Sequence, residues 1–239
     1  MKSLPDKSID LVLSDPPYNA SNSNLSIWDY KLINEKWDKK FDPYPFLDES
    51  FRLIKDWGSI LVFCSYHLLW KYLEYGKKVQ QVIHWEHITC VPSLTKTYHP
   101  CVEYIVWYST PRYTFNKPAG RNVIREKKAY QYWEKYYIDD DKEKWAHPSI
   151  KPTPLLEKLI TVHSNEWDII LDPYVWSWST CVAATRLNRN FIWCDMDRDY
   201  CNISIKRINE IWQKWNQNKE CELITDVSNE VSVVITEEE

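Results

Sequence analysis

Glycine is scarce in this sequence: only three occur in 239 residues, where an average usage of about 7% would give roughly 17. Long apolar runs are missing as well, since none approaches the roughly 18 residues needed to cross a membrane. The seven cysteines form no CxxC pair, which favours buried, reduced thiols over a zinc site or a disulfide framework. The first residues lack the apolar core of a signal peptide. We therefore expect a cytoplasmic protein with no membrane span and no bound metal.

Tryptophan is as frequent as glycine is rare, with 14 residues. Together the two types roughly reach the number expected for glycine alone. Trp176 and Trp178 lie in "DPYVWSWST" (172–180), between a strand-like run and a helix-like stretch. A turn of this kind usually needs small residues, because glycine tolerates φ > 0 and lets another molecule approach the backbone. The sequence therefore indicates that tryptophans stand at positions suited to glycine.

The charge of the chain is uneven. The net charge of −4 is not typical of a nucleic-acid binder, but residues 111–135 hold seven Lys or Arg against two Glu, with aromatic residues between them. Such a segment can neutralise phosphates and stack on bases, although a solvated surface helix fits it equally well. The candidate DNA contacts are Arg112, Arg121, Arg125, Lys127 and Lys128.

Strand-like and helix-like segments alternate along the chain, which predicts one large α/β domain with a mostly parallel sheet covered on both faces. Residues 110–150 lose this alternation and are interpreted as an insertion, and the last 20 residues as an acidic tail or an edge strand. The predicted strands cover 9–13, 58–65, 79–89, 102–109, 168–171 and 190–194. The predicted helices cover 46–55, 67–77, 152–162, 179–187 and 197–216.

The motif Ser14-Asp-Pro-Pro-Tyr18 follows the first predicted strand. In open α/β sheets, ligands bind beyond the carboxyl ends of the strands. Asp15 can accept a hydrogen bond from an exocyclic amine, Pro16 and Pro17 present outward carbonyls, and Tyr18 offers a ring on which a planar base can stack. Taken alone, the motif is equally compatible with an ordinary Asp-Pro-Pro turn.

Four segments decide between these interpretations. "SDPPYN" (14–19), "HPSIKPTPLLEKLI" (147–160), "DIILDPYVWSWST" (168–180) and "NFIWCDMDRDYC" (190–201) resemble the motifs of the DNA amino-methyltransferases, in the circularly permuted order that places the catalytic half first. The resemblance implies a Rossmann-like, S-adenosylmethionine-dependent methyltransferase fold. It divides the chain into a catalytic half (1–109), a target-recognition insertion (110–146), a cofactor-binding half (147–216) and an acidic tail (217–239).

The resemblance also assigns roles. Asp15, Pro16, Pro17 and Tyr18 would hold the target base, Asp172 would face the methionine ammonium group of the cofactor, and Asp195 its ribose. Asp15 at the start of the motif with Tyr18 at its end favours adenine N6 over cytosine N4, and an inactive DNA-binding relative is the alternative. The implied cofactor-binding residues are His147, Pro148, Lys151, Asp172, Pro173, Tyr174, Trp176, Ser177, Trp178, Ser179, Thr180 and Asp195.

Implied partners follow from the same resemblance. The substrate would be double-stranded DNA in a bacterium or phage, and a homodimer and a cognate restriction endonuclease are left open. The family also has about ten residues ahead of this chain's first strand-forming segment, which implies a misplaced start or a truncated gene.

The family pattern answers the question raised by the tryptophans. We hypothesise that the gene reads UGA as glycine and was translated with a table that reads it as tryptophan. A decayed homologue and a designed variant are the alternatives, but neither explains why glycine positions are hit selectively. We expect Trp176, Trp178 and Trp193 to border the cofactor pocket. The positions where the family expects glycine are Trp57, Trp167, Trp176, Trp178 and Trp193.

Overall fold

The structure is a computed structural model, and it describes residues 1–19, 40–88, 98, 101–116, 120–128, 151–174, 179–195, 222–225 and 231–234. In the last two segments and at 194–195 only the backbone is described. The strands are β1 Ile9–Ser14, β2 Ile54–Cys64, β3 Val79–His87, β4 Val102–Ser109, β5 Val123–Glu126, β6 Ile169–Asp172, β7 Asn190–Asp195, β8 Glu222–Thr225 and β9 Val231–Val234. The helices are α1 Pro43–Leu53, α2 Tyr66–Glu74, α3 Thr153–His163 and α4 Ser179–Arg186.

These strands form one sheet in the order β5-β3-β4-β2-β1-β6-β7-β9-β8. The central strands β2, β1, β6 and β7 run parallel to one another. On one side β4 pairs antiparallel with both β2 and β3, and on the other β9 pairs antiparallel with β7 and β8. The predicted α/β fold is confirmed, and antiparallel strands extend its parallel centre at both edges.

Helices cover both faces, as predicted from the continuous apolar runs of the central strands. One face of the sheet packs against α1 and α2 through residues such as Leu47 and Leu68. The other face packs against α3 and α4 through residues such as Leu156 and Ala183. Within the described residues, no helix is both long and apolar enough to span a bilayer.

Helix starts follow local sequence rules. In α1, Asp42 is the N-cap, its carboxylate accepts from the Tyr44 N–H, and Pro43 occupies the first turn, where a missing N–H costs nothing. Pro152 and Pro154 flank the start of α3 in the same way. These prolines fix where the helices begin, and both helices begin within three residues of the predicted positions.

One sequence expectation is corrected here. Cys101 is disulfide-bonded, so the expectation of reduced thiols is wrong for this residue, while Cys64 and Cys181 are free and buried. Of the two alternatives for the acidic C-terminal segment, a tail or an edge strand, the second is observed, because β8 and β9 extend the sheet. The helix predicted over 197–216 lies outside the described residues.

A turn before β6 places tryptophan in a conformation that favours glycine. The Asp168 N–H donates to the Asn165 carbonyl (3.3 Å), which closes a four-residue turn whose third residue is Trp167. Trp167 has φ of 70° and is half exposed. A turn with positive φ only at its third residue is the type II pattern, which requires glycine or asparagine there. The turn therefore supports the hypothesis that residue 167 is naturally glycine.

The other glycine-like positions behave differently. Trp57 has no positive φ, and its indole N–H donates to the Asp10 carboxylate (2.9 Å). The neighbouring Gly58 does need to lack a side chain, because a Cβ there would lie 2.9 Å from the Asp10 carbonyl oxygen. Trp193 is fully buried in the core beneath α3 and α4, directly across from Asp172 in the β6–β7 register.

Candidate active site

The candidate site lies at the carboxyl ends of the parallel strands, which we call the catalytic edge of the sheet. Asp15 follows β1, Ser65 follows β2, and Asp172 closes β6. The antiparallel strand β4 begins at this same edge, so Glu103 near its start lies close to the end of β1. Because the start of β4 lies beside the ends of β1 and β2, residues that are far apart in the sequence come together here.

The two carboxylate oxygens of Asp15 have different surroundings. Its Oδ2 lies 2.7 Å from the Nζ of Lys151, just ahead of α3, whereas its Oδ1 is buried and has no hydrogen-bond partner in the described part of the chain. A buried acceptor without a donor costs about 1–3 kcal/mol. Such an atom is suited to accept a hydrogen bond from a bound ligand.

Glu103 is the centre of a buried polar network. Its Oε2 accepts from the Tyr18 hydroxyl (3.2 Å) and lies 3.3 Å from the Lys151 ammonium. Its Oε1 lies 3.2 Å from Nε2 of His87, the last residue of β3. The Ser65 hydroxyl donates to the Tyr18 carbonyl (3.1 Å). Four strands thus fix the side chains around the Asp-Pro-Pro-Tyr motif.

Lys151 also lies over two rings, with its Nζ 5.1 Å from the centre of Tyr18 and 5.2 Å from that of Phe63. An ammonium at this distance from an aromatic face is attracted by the ring electrons. The lysine therefore ties together the acceptor Asp15 and the ring that the sequence analysis assigns to base stacking.

Burial and charge oppose one another in this network. Burial raises the pKa of Asp15, and the Lys151 ammonium counteracts part of this rise. Burial alone would also raise the pKa of Glu103, but Lys151 and His87 lower it to about 2. Burial would lower the pKa of Lys151, yet the two carboxylates raise it. Glu103 and Lys151 are therefore a charged pair at neutral pH.

A second carboxylate lies at the end of β6. The Asp172 Oδ2 accepts from the Thr180 hydroxyl at the start of α4 (2.7 Å), and its Oδ1 accepts from the Tyr174 N–H (3.2 Å). Tyr174 in turn packs edge-on against Phe46 of α1. Burial, opposed mainly by Thr180, raises the pKa of Asp172 to about 7. A cationic group next to Asp172 would favour its ionised form.

The structure brings together only part of the predicted cofactor set. Asp172, Pro173, Tyr174, Ser179 and Thr180 lie around the end of β6 and the start of α4. For Lys151, the implied contact with the cofactor stays a prediction, since its ammonium contacts Asp15 and Glu103. Asp195 ends β7, and its side chain is not described. His147, Pro148, Trp176, Ser177 and Trp178 lie outside the described residues.

The basic residues predicted to contact DNA do not share one surface. Lys127 and Lys128 follow β5 at the catalytic edge, where Lys128 lowers the pKa of Glu103. Arg125 forms an exposed salt bridge with Glu86 (2.8 Å). Arg121 is exposed ahead of β5. Arg112 lies near the opposite ends of these strands, close to Asp56, whose pKa is lowered mainly by Lys7 and to a smaller extent by Arg112.

Sequence reasoning missed Glu103 and His87. Glu103 is the one charged residue of the mainly apolar strand "VEYIVWYS", whereas His87 ends "VQQVIHWEH", a strand with several other polar residues. The lone charge was the available signal for Glu103, but only the antiparallel pairing of β3 with β4 shows that its side chain meets that of His87.

The family is established by comparison with known proteins. The family model described as DNA methylase matches residues 9–206. The chain therefore belongs to the N6/N4 DNA methylase family, site-specific DNA amino-methyltransferases that depend on S-adenosylmethionine.

Individual relatives agree with this assignment. The chain is 31% identical to the type II methyltransferase M2.LlaDCHI of Lactococcus lactis subsp. cremoris, covering 88% of this chain and 86% of that protein. It is 28% identical to M.HinfI of Haemophilus influenzae, covering 88% of this chain and 66% of that protein. The crystal structure of the M1.HpyAVI–SAM complex matches with a TM-score of 0.58 and 25% identity, covering 84% of this chain and 89% of that one. The PvuII cytosine-N4-specific methyltransferase shares the fold, with a TM-score of 0.60 and 18% identity over 89% and 87% of the two chains.

Proposed function

We propose that this protein transfers a methyl group from S-adenosylmethionine to N6 of adenine in double-stranded DNA. The observation that carries the proposal is the state of Asp15: one carboxylate oxygen is held by Lys151, and the other is buried without a partner in the described residues. The free oxygen is an acceptor for one N–H of an exocyclic amine.

In the proposed mechanism, the protein acts mainly by orienting the target amine. The lone pair of an aromatic amine is delocalised into the ring, so the nitrogen is a poor nucleophile. Asp15 and the carbonyl of Pro16 would accept hydrogen bonds from the two amine hydrogens and favour a pyramidal nitrogen, while Tyr18 stacks on the base. Positioning and electrostatics then account for most of the catalysis. Because a paired base cannot reach this pocket, the adenine must leave the duplex.

The residues around Asp172 fit the implied cofactor. When bound, S-adenosylmethionine supplies an electrophilic methyl group on a sulfonium. The Asp172 carboxylate is buried, and its two oxygens accept hydrogen bonds from the Tyr174 N–H and the Thr180 hydroxyl. Because its pKa is about 7, a nearby positive charge would shift it towards the ionised form. We assign Asp172 to the methionine ammonium group and Asp195 to the ribose hydroxyls.

The choice of adenine over cytosine rests on the motif itself. Asp15 at the first motif position and Tyr18 at the last favour adenine N6, whereas the cytosine-N4 members of this family more often have Ser at the first position. The alternative is an inactive DNA-binding relative, which the bulky residues in the predicted cofactor loop would favour.

DNA contact is assigned to the catalytic edge. Lys127 and Lys128 lie beside the Asp15 network and can contact phosphates on either side of an extruded base. Arg121 lies just ahead of β5, the outermost strand on this side of the sheet, and Arg125 lies within it. For Arg112, at the opposite edge, the DNA contact predicted from sequence would need a duplex that wraps around the sheet.

The test is the chemical identity of the product. Unmodified bacterial DNA is incubated with the protein and S-adenosylmethionine, and its nucleosides are separated by mass spectrometry. N6-methyladenine is the expected product. N4-methylcytosine would overturn the assignment of the base. To separate inactivity from damage at the glycine positions, the printed chain is compared with a variant carrying glycine at 57, 167, 176, 178 and 193. DNA binding without methylation by both would favour the inactive relative.

A further inference from the structure

Glu103 does not belong to any of the motifs that carry the family resemblance, yet it touches every described side chain that fixes Asp15. It lies on β4, pairs with Lys151 (3.3 Å), accepts from Tyr18 (3.2 Å) and contacts His87 (3.2 Å). Glu103 is less exposed than a typical surface glutamate, at 23% of its side-chain surface. A carboxylate is rarely buried unless its partners compensate for lost hydration.

We propose that Glu103 is a positioning residue for methyl transfer: through Lys151 and Tyr18 it holds both the amine acceptor and the stacking ring in place. This inference rests on the proposed function. It goes beyond the Asp-Pro-Pro-Tyr motif because it assigns a positioning role to residues of the antiparallel strands β3 and β4. His87 on β3 contacts Oε1 of Glu103 and helps to fix its orientation.

The charge of the network also supports this role for Glu103. With Asp15 ionised, Lys151 paired to Asp15 alone would leave the site neutral. Glu103 adds a second negative charge, so the three groups together carry −1. In the transfer, the bond from sulfur to the methyl carbon breaks with its electrons going to sulfur, and the bond from nitrogen to that carbon forms. The amine therefore gains positive charge until it releases a proton, and a net negative surrounding stabilises that change.

The position of Lys151 between two carboxylates is the third observation that supports the role of Glu103. Lys151 contacts Asp15 on Oδ2, and Glu103 on Oε2, so the ammonium bridges the two carboxylates. If Glu103 were neutral, Lys151 would lose one ionic anchor, and the Tyr18 hydroxyl would donate to a weaker, uncharged acceptor. Small displacements of groups that align a reacting atom can reduce rates by about 100-fold.

The first test uses Glu103→Gln, which keeps shape and removes charge. We expect the single-turnover methylation rate to fall about 100-fold, while the dissociation constant for S-adenosylmethionine stays within about twofold of the parent. The matched control is Asp10→Asn. Asp10 is a buried carboxylate paired with a lysine, Lys55 (2.7 Å), but it lies near the start of β1, whereas Asp15 follows the end of that strand. Equal losses in both variants would overturn the proposal.

A double-mutant comparison asks whether Glu103 acts through Lys151. In the Lys151→Met background, Glu103→Gln should cause less than a threefold further loss, because its main partner is already absent. Independent, multiplicative losses would refute the role of Lys151 as the link between Glu103 and Asp15. Glu103→Asp should recover part of the rate, since it restores the charge with a shorter reach.

The second test needs no activity. The titration of Lys151 is followed by NMR in protein labelled with carbon-13 at lysine Cε, with Lys151→Met used for assignment. Removing the charge of Glu103 should lower the Lys151 midpoint by about one pH unit or more, and Asp10→Asn should leave it unchanged. An unchanged midpoint in Glu103→Gln overturns the proposal. If the midpoint moves but neither the printed chain nor its glycine-restored form methylates DNA, the proposed function fails while the link between Glu103 and Lys151 stands.

Discussion

Trp167 offers a direct test of whether glycine is the residue that this backbone was built for. The test compares Trp167→Gly with Trp167→Ala. Both variants remove the half-exposed indole and keep the backbone hydrogen bond from residue 167 N–H to the Asn188 carbonyl (2.8 Å). The comparison therefore cancels the packing of the ring and isolates the effect of a Cβ at φ of 70°.

The magnitude follows from two opposing effects. An L-residue at positive φ costs about 1–2 kcal/mol, and glycine avoids that cost. Glycine also loses more backbone entropy on folding than alanine, which costs about 0.5–1 kcal/mol. At position 167 glycine should therefore be more stable than alanine by about 0.5–1 kcal/mol, and asparagine, which tolerates this conformation, should lie between them.

Position 57 provides the control with the opposite sign. Trp57 lies in β2 and has no positive φ. Its hydrogen bond to Asp10 is removed in both Trp57→Gly and Trp57→Ala, so this effect cancels as well. Here alanine should be the more stable by about 0.5–1 kcal/mol.

Urea unfolding of the four variants measures these differences, and thermal midpoints check them, with about 2–4 °C expected per kcal/mol for a chain of this size. The sign reversal between the two positions is the diagnostic result. If alanine is more stable than glycine at both positions, residue 167 is not strained and the turn gives no support to a natural glycine there.

Four further predictions follow from the site. Asp15→Ala should abolish methyl transfer and leave the dissociation constant for S-adenosylmethionine nearly unchanged; more than a few per cent of parental methylation would count against the role of Asp15. Lys127→Gln with Lys128→Gln should weaken DNA binding and flatten the slope of log K against log salt by about 0.9 for each phosphate that the protein no longer neutralises, whereas Arg112→Gln should leave that slope unchanged. Because the pKa of Asp172 in the folded state, about 7, lies above its ordinary value of 3.8, the protein should lose a few kcal/mol of stability as pH rises from about 4 to 7; Asp172→Asn should remove this slope in urea titrations, and a persisting slope would assign it to another group. Glycine at the positions now held by Trp57, Trp167, Trp176, Trp178 and Trp193 should tighten S-adenosylmethionine binding measured by calorimetry; equal, tight binding by the printed chain would mean that the indoles are tolerated.

Much of the fold is readable from sequence because its centre is built from local signals. Continuous apolar runs such as "GSILVFCS" predict buried parallel strands, and prolines fix the starts of α1 and α3. The ends of β1 and β6 then place Asp15 and Asp172 at one edge of the sheet without any knowledge of side-chain contacts.

The antiparallel flanks were not readable in this way. The position of β4 between β2 and β3 depends on pairing across distant segments, and no local pattern encodes that order. Glu103 and His87 meet only because β3 and β4 pair antiparallel. Lys151 was assigned to the cofactor from its motif, and the contacts with Asp15 and Glu103 could not be foreseen from its place in the sequence.

Trp57 and Trp167, two of the five tryptophans at predicted glycine positions, differ in how well the fold accepts them, and this difference bears on their origin. Trp57 gains a hydrogen bond to Asp10 and has an unstrained backbone, so ordinary selection could retain it. Trp167 occupies a turn position that disfavours every bulky side chain, so selection would remove it. A misread codon strikes both positions alike, without regard to cost, whereas accumulated mutations in a folded protein would concentrate where tryptophan is tolerated. The presence of tryptophan at 167 therefore favours misreading over drift, and the gene decides the matter: any codon other than UGA at 167 would refute it.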